Sequence, residues 1–206
     1  MKRLLTLTMA LGLVVAAVGM AQANLLGNPG FETVPTGMAG DWTTFAGGPG
    51  GVSAQATLMP HSGTGHMDLQ VGGANAFGGV FQQVPIAVNL GDTVTFTGWH
   101  KSLVDPFTGT RELKIEWNGQ PQTRVDSLVI GTDYEQFSLV GIAPANTTGF
   151  TITYALSSFN AGAGENNVYI DDFDVTIART GVPEPTSVML GLMGLCGAAG
   201  MVRRRK

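Results

Sequence analysis

Cysteine occurs once among the 206 residues, as Cys196. It sits in an apolar stretch near the C-terminus, so no disulfide braces the body of the chain and no thiol there can ligate a metal. Cations are nearly as scarce. Between residues 24 and 185 only Lys101, Arg111, Lys114, Arg124 and Arg179 stand against all fifteen Asp and Glu residues, a formal balance of −10. That sign excludes nucleic acid, whose phosphates demand a basic face, and suits calcium, neutral sugars or simple solubility. Apolar residues at helical spacing are missing, as are a Gly-x-Ser-x-Gly elbow and a twelve-residue EF-hand loop. His61, His66 and His100 lack a compact metal-ligand spacing, and Ser62 beside His61 does not make a triad. Without a catalytic constellation the chain reads as a non-enzyme.

Long apolar runs are confined to the two ends. Lys2 and Arg3 precede the run 4–20, and Ala21-Gln22-Ala23 offers a small-x-small site, so residues 1–23 read as a signal peptide for signal peptidase. At the other end Val182-Pro183-Glu184-Pro185 is followed by the uncharged residues 186–202 and by Arg203-Arg204-Arg205-Lys206. Seventeen residues rising about 1.5 Å each just span a hydrocarbon core as a helix, and four cations behind them stay cytoplasmic. The two prolines keep residues 179–185 a non-helical linker. Cys196 reads as a small residue packed in the membrane helix. Residues 186–202 are therefore expected to be a transmembrane helix in the inner membrane, and 203–206 a basic cytoplasmic tail.

This three-part tail resembles the PEP-CTERM sorting signal, with Val182, Pro183, Glu184 and Pro185 as the motif and Arg203, Arg204 and Arg205 in the basic end. The resemblance implies an exosortase as processing partner. It also implies an exported protein, membrane-anchored before processing and then placed at the cell surface or in extracellular polysaccharide. The other reading of the same residues is an ordinary tail anchor.

Residues 24–178 are expected to form one all-β domain. Val94 and Phe96 alternate with threonines in 92–99, and 150–156 repeats the pattern. Phe137, Leu139 and Val140 mark another strand, and Val168, Ile170, Phe173, Val175 and Ile177 a further one. Residues 112–117 and 120–125 flank Asn118-Gly119, which predicts a two-residue hairpin turn. Shorter candidates lie at 24–31, 41–45, 66–71 and 80–86, separated by glycine-rich connections. Nine or ten short strands with frequent turns predict an antiparallel two-sheet jelly-roll sandwich.

Four pieces in order give that domain a family resemblance. Residues 24–32 (Asn-Leu-Leu-Gly-Asn-Pro-Gly-Phe-Glu), 61–69, 133–137 and 168–173 (Val-Tyr-Ile-Asp-Asp-Phe) resemble the corresponding parts of galactose-binding-like jelly rolls, a group that includes carbohydrate-binding modules. The resemblance implies a structural calcium held by Glu32, by Asp171 or Asp172, and by carbonyls of the Gly63 to Gly65 turn. Because neighbours on a strand face opposite ways, one of the two aspartates is expected to serve as the side-chain ligand. The alternative is a solvated acidic edge made of Asp171, Asp172 and Asp174.

Sugar rings stack on flat side chains, and their hydroxyls need polar neighbours. Trp117 with Asn118 and Gln120 at the hairpin tip, together with Trp42 and Phe107, are the candidates, and Trp99 reads as core. Glu112 and Glu116 share one strand face; a charged outer face and a glycosidase pair are both open. Three functions follow, in decreasing order: a non-catalytic surface protein that binds polysaccharide, a purely structural matrix or adhesion protein, and a secreted glycan hydrolase.

Overall fold

The computed structural model describes residues 23–127, 129–158 and 165–180. All but Ala23 of the expected signal peptide (1–23), and Val182, Pro183, Glu184, Pro185, the apolar run 186–202 and Arg203, Arg204 and Arg205, lie outside the described residues. Ala23–Thr180 is one compact unit. It contains β1 (Thr43–Gly47), β2 (Val52–Ala56), β3 (His66–Gly72), β4 (Ala76–Val84), β5 (Thr93–Ser102), β6 (Thr110–Trp117), β7 (Thr123–Ser127), β8 (Glu135–Ile142), β9 (Phe150–Ser158) and β10 (Glu165–Ala178). Among the described residues no helix is long and apolar enough to cross a membrane.

The strands form two antiparallel five-stranded sheets, ordered β1-β4-β9-β6-β7 (sheet A) and β2-β3-β10-β5-β8 (sheet B). This is the all-β jelly-roll sandwich expected from the alternation. Burial in β5 alternates without a break, with Val94 and Phe96 inside and Thr93, Thr95 and Thr97 half-buried outside. The same parity turns Trp99 outward, so the expectation of a core Trp99 is corrected. Its ring stacks on that of His61, with centroids 4.2 Å apart.

An aromatic cluster of Phe31, Trp42, Phe96, Phe137, Tyr154 and Phe173 fills the space between the sheets. Phe173 sits at its centre, with five ring neighbours at centroid distances of 5.2–5.9 Å. Its inward orientation depends on a bulge in β10. Pairing with β5 slips between Asp171 and Asp174, so Val168 and Ile170 before it and Phe173, Val175 and Ile177 after it all reach the core.

Three local expectations are corrected. Residues 24–31 run beside β10 as an irregular segment, because the Asn24 side chain takes over the pairing: its Nδ2 donates to the Phe173 carbonyl at 2.7 Å and its Oδ1 accepts from Val175 N at 3.1 Å. Val52–Ala56 is a strand where only connection was read, since Ser53 and Gln55 face inward among polar partners and leave little apolar alternation to see. The β6–β7 turn is longer than two residues. Gln120 N donates to Trp117 O at 3.1 Å and Gly119 has φ +76°, but Pro121 has no N–H to continue the ladder, so pairing resumes at Ile115–Thr123.

Candidate functional site

Two surfaces carry the polar chemistry. The first joins the opening segment to β10. Asp171, fully buried, accepts from His61 N at 2.8 Å and Ser62 N at 3.2 Å. Asp172 accepts from Ser62 Oγ at 2.8 Å and lies 2.7 Å from His61 Nδ1. Glu32 accepts from Thr64 N at 2.9 Å and from Thr64 Oγ1 at 2.6 Å. Three carboxylates therefore grip the 61–65 loop. Burial pushes Asp171 up to about 6, while the Thr64 hydroxyl and amide hold Glu32 below its ordinary value.

Asp171 and Asp172 act on the same loop, contrary to the alternation expected of them. The bulge begins here and Asp172 has φ +48°, a left-handed conformation that aspartate tolerates better than most residues. A Cβ placed on Gly30 would stand 3.4 Å from Asp172 Oδ1, 3.6 Å from Glu32 Oε1 and 3.8 Å from Asp171 Oδ1. Carboxylate oxygens from three residues thus approach Gly30, and oxygen donors are the type calcium takes. The donors are gathered but the shell is not closed: among the described residues no three acidic, imidazole or thiol groups stand close enough to share an ion.

The second surface is the outer face of sheet A. Phe45 on β1 is in register with Gly79 on β4, and Gly47 with Phe77. A Cβ on Gly79 would lie 2.5 Å from the tip of the Phe45 ring, and one on Gly47 2.5 Å from that of Phe77. The tip of each phenyl ring therefore sits over its glycine; Phe77 is 40% exposed and Phe45 half-buried. Phe81 extends the patch, 6.2 Å from Phe45. The neighbouring strand β9 presents Thr151, Thr153, Ala155 and Ser157, all small, in register with both β4 and β6.

Beyond β9 the face becomes charged. Glu112, 8% exposed, has Lys114 Nζ at 2.8 Å, Arg124 Nη2 at 3.4 Å and Ser157 Oγ at 3.3 Å. Arg124 forks onto Asp126 at 2.7 and 2.8 Å, and Thr153 Oγ1 donates to Glu116 at 3.0 Å. An apolar aromatic strip and a strip of fixed donors and acceptors thus flank one row of small side chains.

The residues expected to stack on sugar are elsewhere. Trp42 is fully buried between Phe31 and Phe173, its Nε1 donating to Asn28 O at 3.0 Å. Trp117 packs on Phe150 and donates to Thr123 Oγ1 at 3.1 Å, and Phe107 is also core. A ring enclosed on both faces has none to offer a ligand, so these three are corrected to structural residues. Asn118 is half-buried and Gln120 exposed at the turn, with no accessible aromatic beside them. Phe45, Phe77 and Phe81 were missed as a group: Phe45 and Phe81 lay in the strand candidates 41–45 and 80–86 without a face assigned to them, and Phe77 fell in a stretch read as glycine-rich connection. The available signal was Phe77-Gly78-Gly79-Val80-Phe81, two aromatics four apart and hence on one strand face.

The fold is a jelly-roll sandwich, and a sorting motif follows it in the sequence. Residues 181–206 match the PEP-CTERM protein-sorting motif, which implies export, a membrane-anchored sorting signal and processing by an exosortase. The sandwich resembles TmCBM61 solved with β-1,4-galactotriose (TM-score 0.57, 18% identity, covering 76% of this chain and all of that one). It likewise resembles the CBM22-1 xylan-binding domain of Paenibacillus barcinonensis Xyn10C (0.53, 17%, covering 79% and 99%). A cyclase from Fischerella sp. TAU has the same fold (0.53, 12%, covering 79% and 100%), so the scaffold also hosts enzymes. No curated protein matches the chain.

Proposed function

We propose that the chain is an exported, non-catalytic surface protein whose sandwich binds polysaccharide on the outer face of sheet A. The observation that carries this is the pair of phenyl rings laid over Gly79 and Gly47 beside the Glu112, Lys114, Arg124 and Asp126 strip. Sugar C–H faces stack on the rings while hydroxyls meet the fixed donors and acceptors. After removal of the tail the product belongs to the cell surface or the extracellular polysaccharide. Glu112 works against a hydrolase, being enclosed by Lys114, Arg124 and Ser157 with little open side for a substrate.

Retention on a panel of immobilised polysaccharides tests the reading. The double variant Phe45→Ala, Phe77→Ala is expected to bind at least about tenfold more weakly, roughly 1.4 kcal/mol, with its melting temperature little changed. Binding unaffected by that variant moves the site elsewhere; no saturable retention by wild type on any polymer favours the purely structural matrix protein.

The proposal includes a structural calcium held by Glu32 and by Asp171 or Asp172, with the carbonyls of Gly63 and Gly65 supplying further oxygens. Calcium there would lock the 61–65 loop to the opening segment and to β10. Saturating calcium is expected to raise the melting temperature by several degrees over chelator, as binding at about a hundredfold its Kd stabilises by roughly 2.7 kcal/mol. Glu32→Ala should lose that response; identical melting of wild type with calcium and with chelator would sink the assignment.

A further inference from the structure

We propose that the end of the sandwich from which the C-terminus leaves is a bilayer-contact surface, with Leu90 and Ile142 lying in the lipid headgroup region while the sorting tail is attached. Thr180, the last described residue, is clamped at this end. Its amide donates to Asp92 Oδ1 at 2.9 Å, and its hydroxyl lies 3.3 Å from both Asp92 Oδ1 and the Leu90 carbonyl. Arg179 Nη1 donates to Asp92 Oδ2 at 2.8 Å and to Ala87 O at 2.9 Å. Asp92 is fully buried and accepts from Asn89 N as well, at 2.8 Å. The chain therefore departs from a fixed point on the 85–92 loop.

Only residues 181–185 separate Thr180 from the uncharged stretch 186–202 of the sorting motif. Five residues reach less than about 20 Å even when fully extended. Covalent reach alone keeps this end of the domain close to the headgroups for as long as the tail is in the membrane.

The surface at the exit suits that neighbour. Leu90, bonded through its carbonyl to Thr180, is 69% exposed; Ile142, paired with Thr93 one residue past Asp92, is also 69% exposed, and Val140 on the same face of β8 is 54% exposed. Large apolar side chains standing in solvent mark a contact surface. Asp92 is answered by Arg179. Asp105 and Asp133 lie in connections at the opposite ends of the strands, Glu135 opens β8 there, and Glu32, Asp171 and Asp172 are engaged with the 61–65 loop. Toward this end Glu116 lies on the outer face of sheet A and accepts from Thr153 Oγ1, and Asp41, just before β1, accepts from Thr36 N at 2.8 Å and Thr36 Oγ1 at 2.7 Å. An acidic domain thus turns exposed apolar side chains toward lipid at this end. The tether holds that end at high effective concentration near the surface, so a few side chains suffice.

The test uses the full chain with Cys196→Ser and one new cysteine at a time, Leu90→Cys, Ile142→Cys or Val129→Cys. Val129 is the control, 76% exposed in the connection before β8, at the opposite end. Each is labelled with nitrobenzoxadiazole and reconstituted into phosphatidylcholine vesicles containing a minority of phosphatidylglycerol. Iodide is expected to quench the labels at 90 and 142 several-fold more slowly than the label at 129, with blue-shifted emission at the first two only. Equal quenching at all three positions overturns the proposal, and so does equal protection at all three, which signals aggregation or indiscriminate adsorption. Thermal melting of each labelled chain checks that these exposed substitutions leave the fold intact.

Discussion

Phe173→Ala is expected to destabilise the domain by about 4 kcal/mol, read as a lower denaturant midpoint at unchanged m-value. The ring is 1% exposed and meets Phe31, Trp42, Phe96, Phe137 and Tyr154 at 5.2–5.9 Å, so its removal opens a cavity bordered by rigid rings that cannot collapse into it. Domains of this size hold only about 5–15 kcal/mol in total, so the loss should also appear as a lower yield of secreted protein. A drop below about 1.5 kcal/mol would mean that the cluster repacks and that Phe173 is not its keystone.

Acid should weaken the fold through His100, in a window that ordinary carboxylate titration does not explain. The imidazole is 1% exposed. Its Nε2 lies 3.3 Å from Glu135 Oε1, which assigns the proton to that nitrogen and leaves Nδ1 to accept from the Tyr154 hydroxyl at 2.8 Å. Burial, helped by the charge of Arg111, holds its pKa down to about 3 against 6.5 in the unfolded chain. Between those values the unfolded state binds the extra proton. Stability is therefore full above pH 6.5 and falls by about 1.4 kcal/mol per unit as the pH drops toward 3, approaching about 4 kcal/mol.

Other groups share the window. His66 is also held low by burial and adds to the loss, whereas Asp171, pushed up to about 6, offsets part of it. Glu32, Asp41 and Asp92, all held below their ordinary values, contribute their own loss nearer pH 4. The diagnostic quantity is thus the difference between wild type and His100→Gln. The variant's stability curve should be flatter by one proton between pH 6.5 and 3, and parallel curves would show that His100 is not the buried neutral base described.

Much of the sandwich could be read before any coordinates, because alternation reports which face of a strand is apolar. The β10 bulge itself was written in the sequence: Val168 and Ile170 are two apart, Ile170 and Phe173 three, then Phe173, Val175 and Ile177 two again. That one-residue slip is what gathers Asp171 and Asp172 on one loop. The binding face was less legible. Alternation does not say how deeply a strand end sinks, so Trp117 looked like a tip residue and Trp99 like core, the reverse of their places. Phe45 and Phe77 acquire their role only through register with glycines about thirty positions away, a relation no local pattern carries.

The exit strand also has a mechanical meaning. β10 is the central strand of its sheet, hydrogen-bonded along one side to β3 and along the other to β5, and the chain continues from its end toward the sorting motif. A pull on the anchored terminus runs along that strand, so both ladders are loaded at once in shear instead of being unzipped one bond at a time. The Asp92 clamp on Arg179 and Thr180 takes the first strain, and the sheet behind it shares the rest.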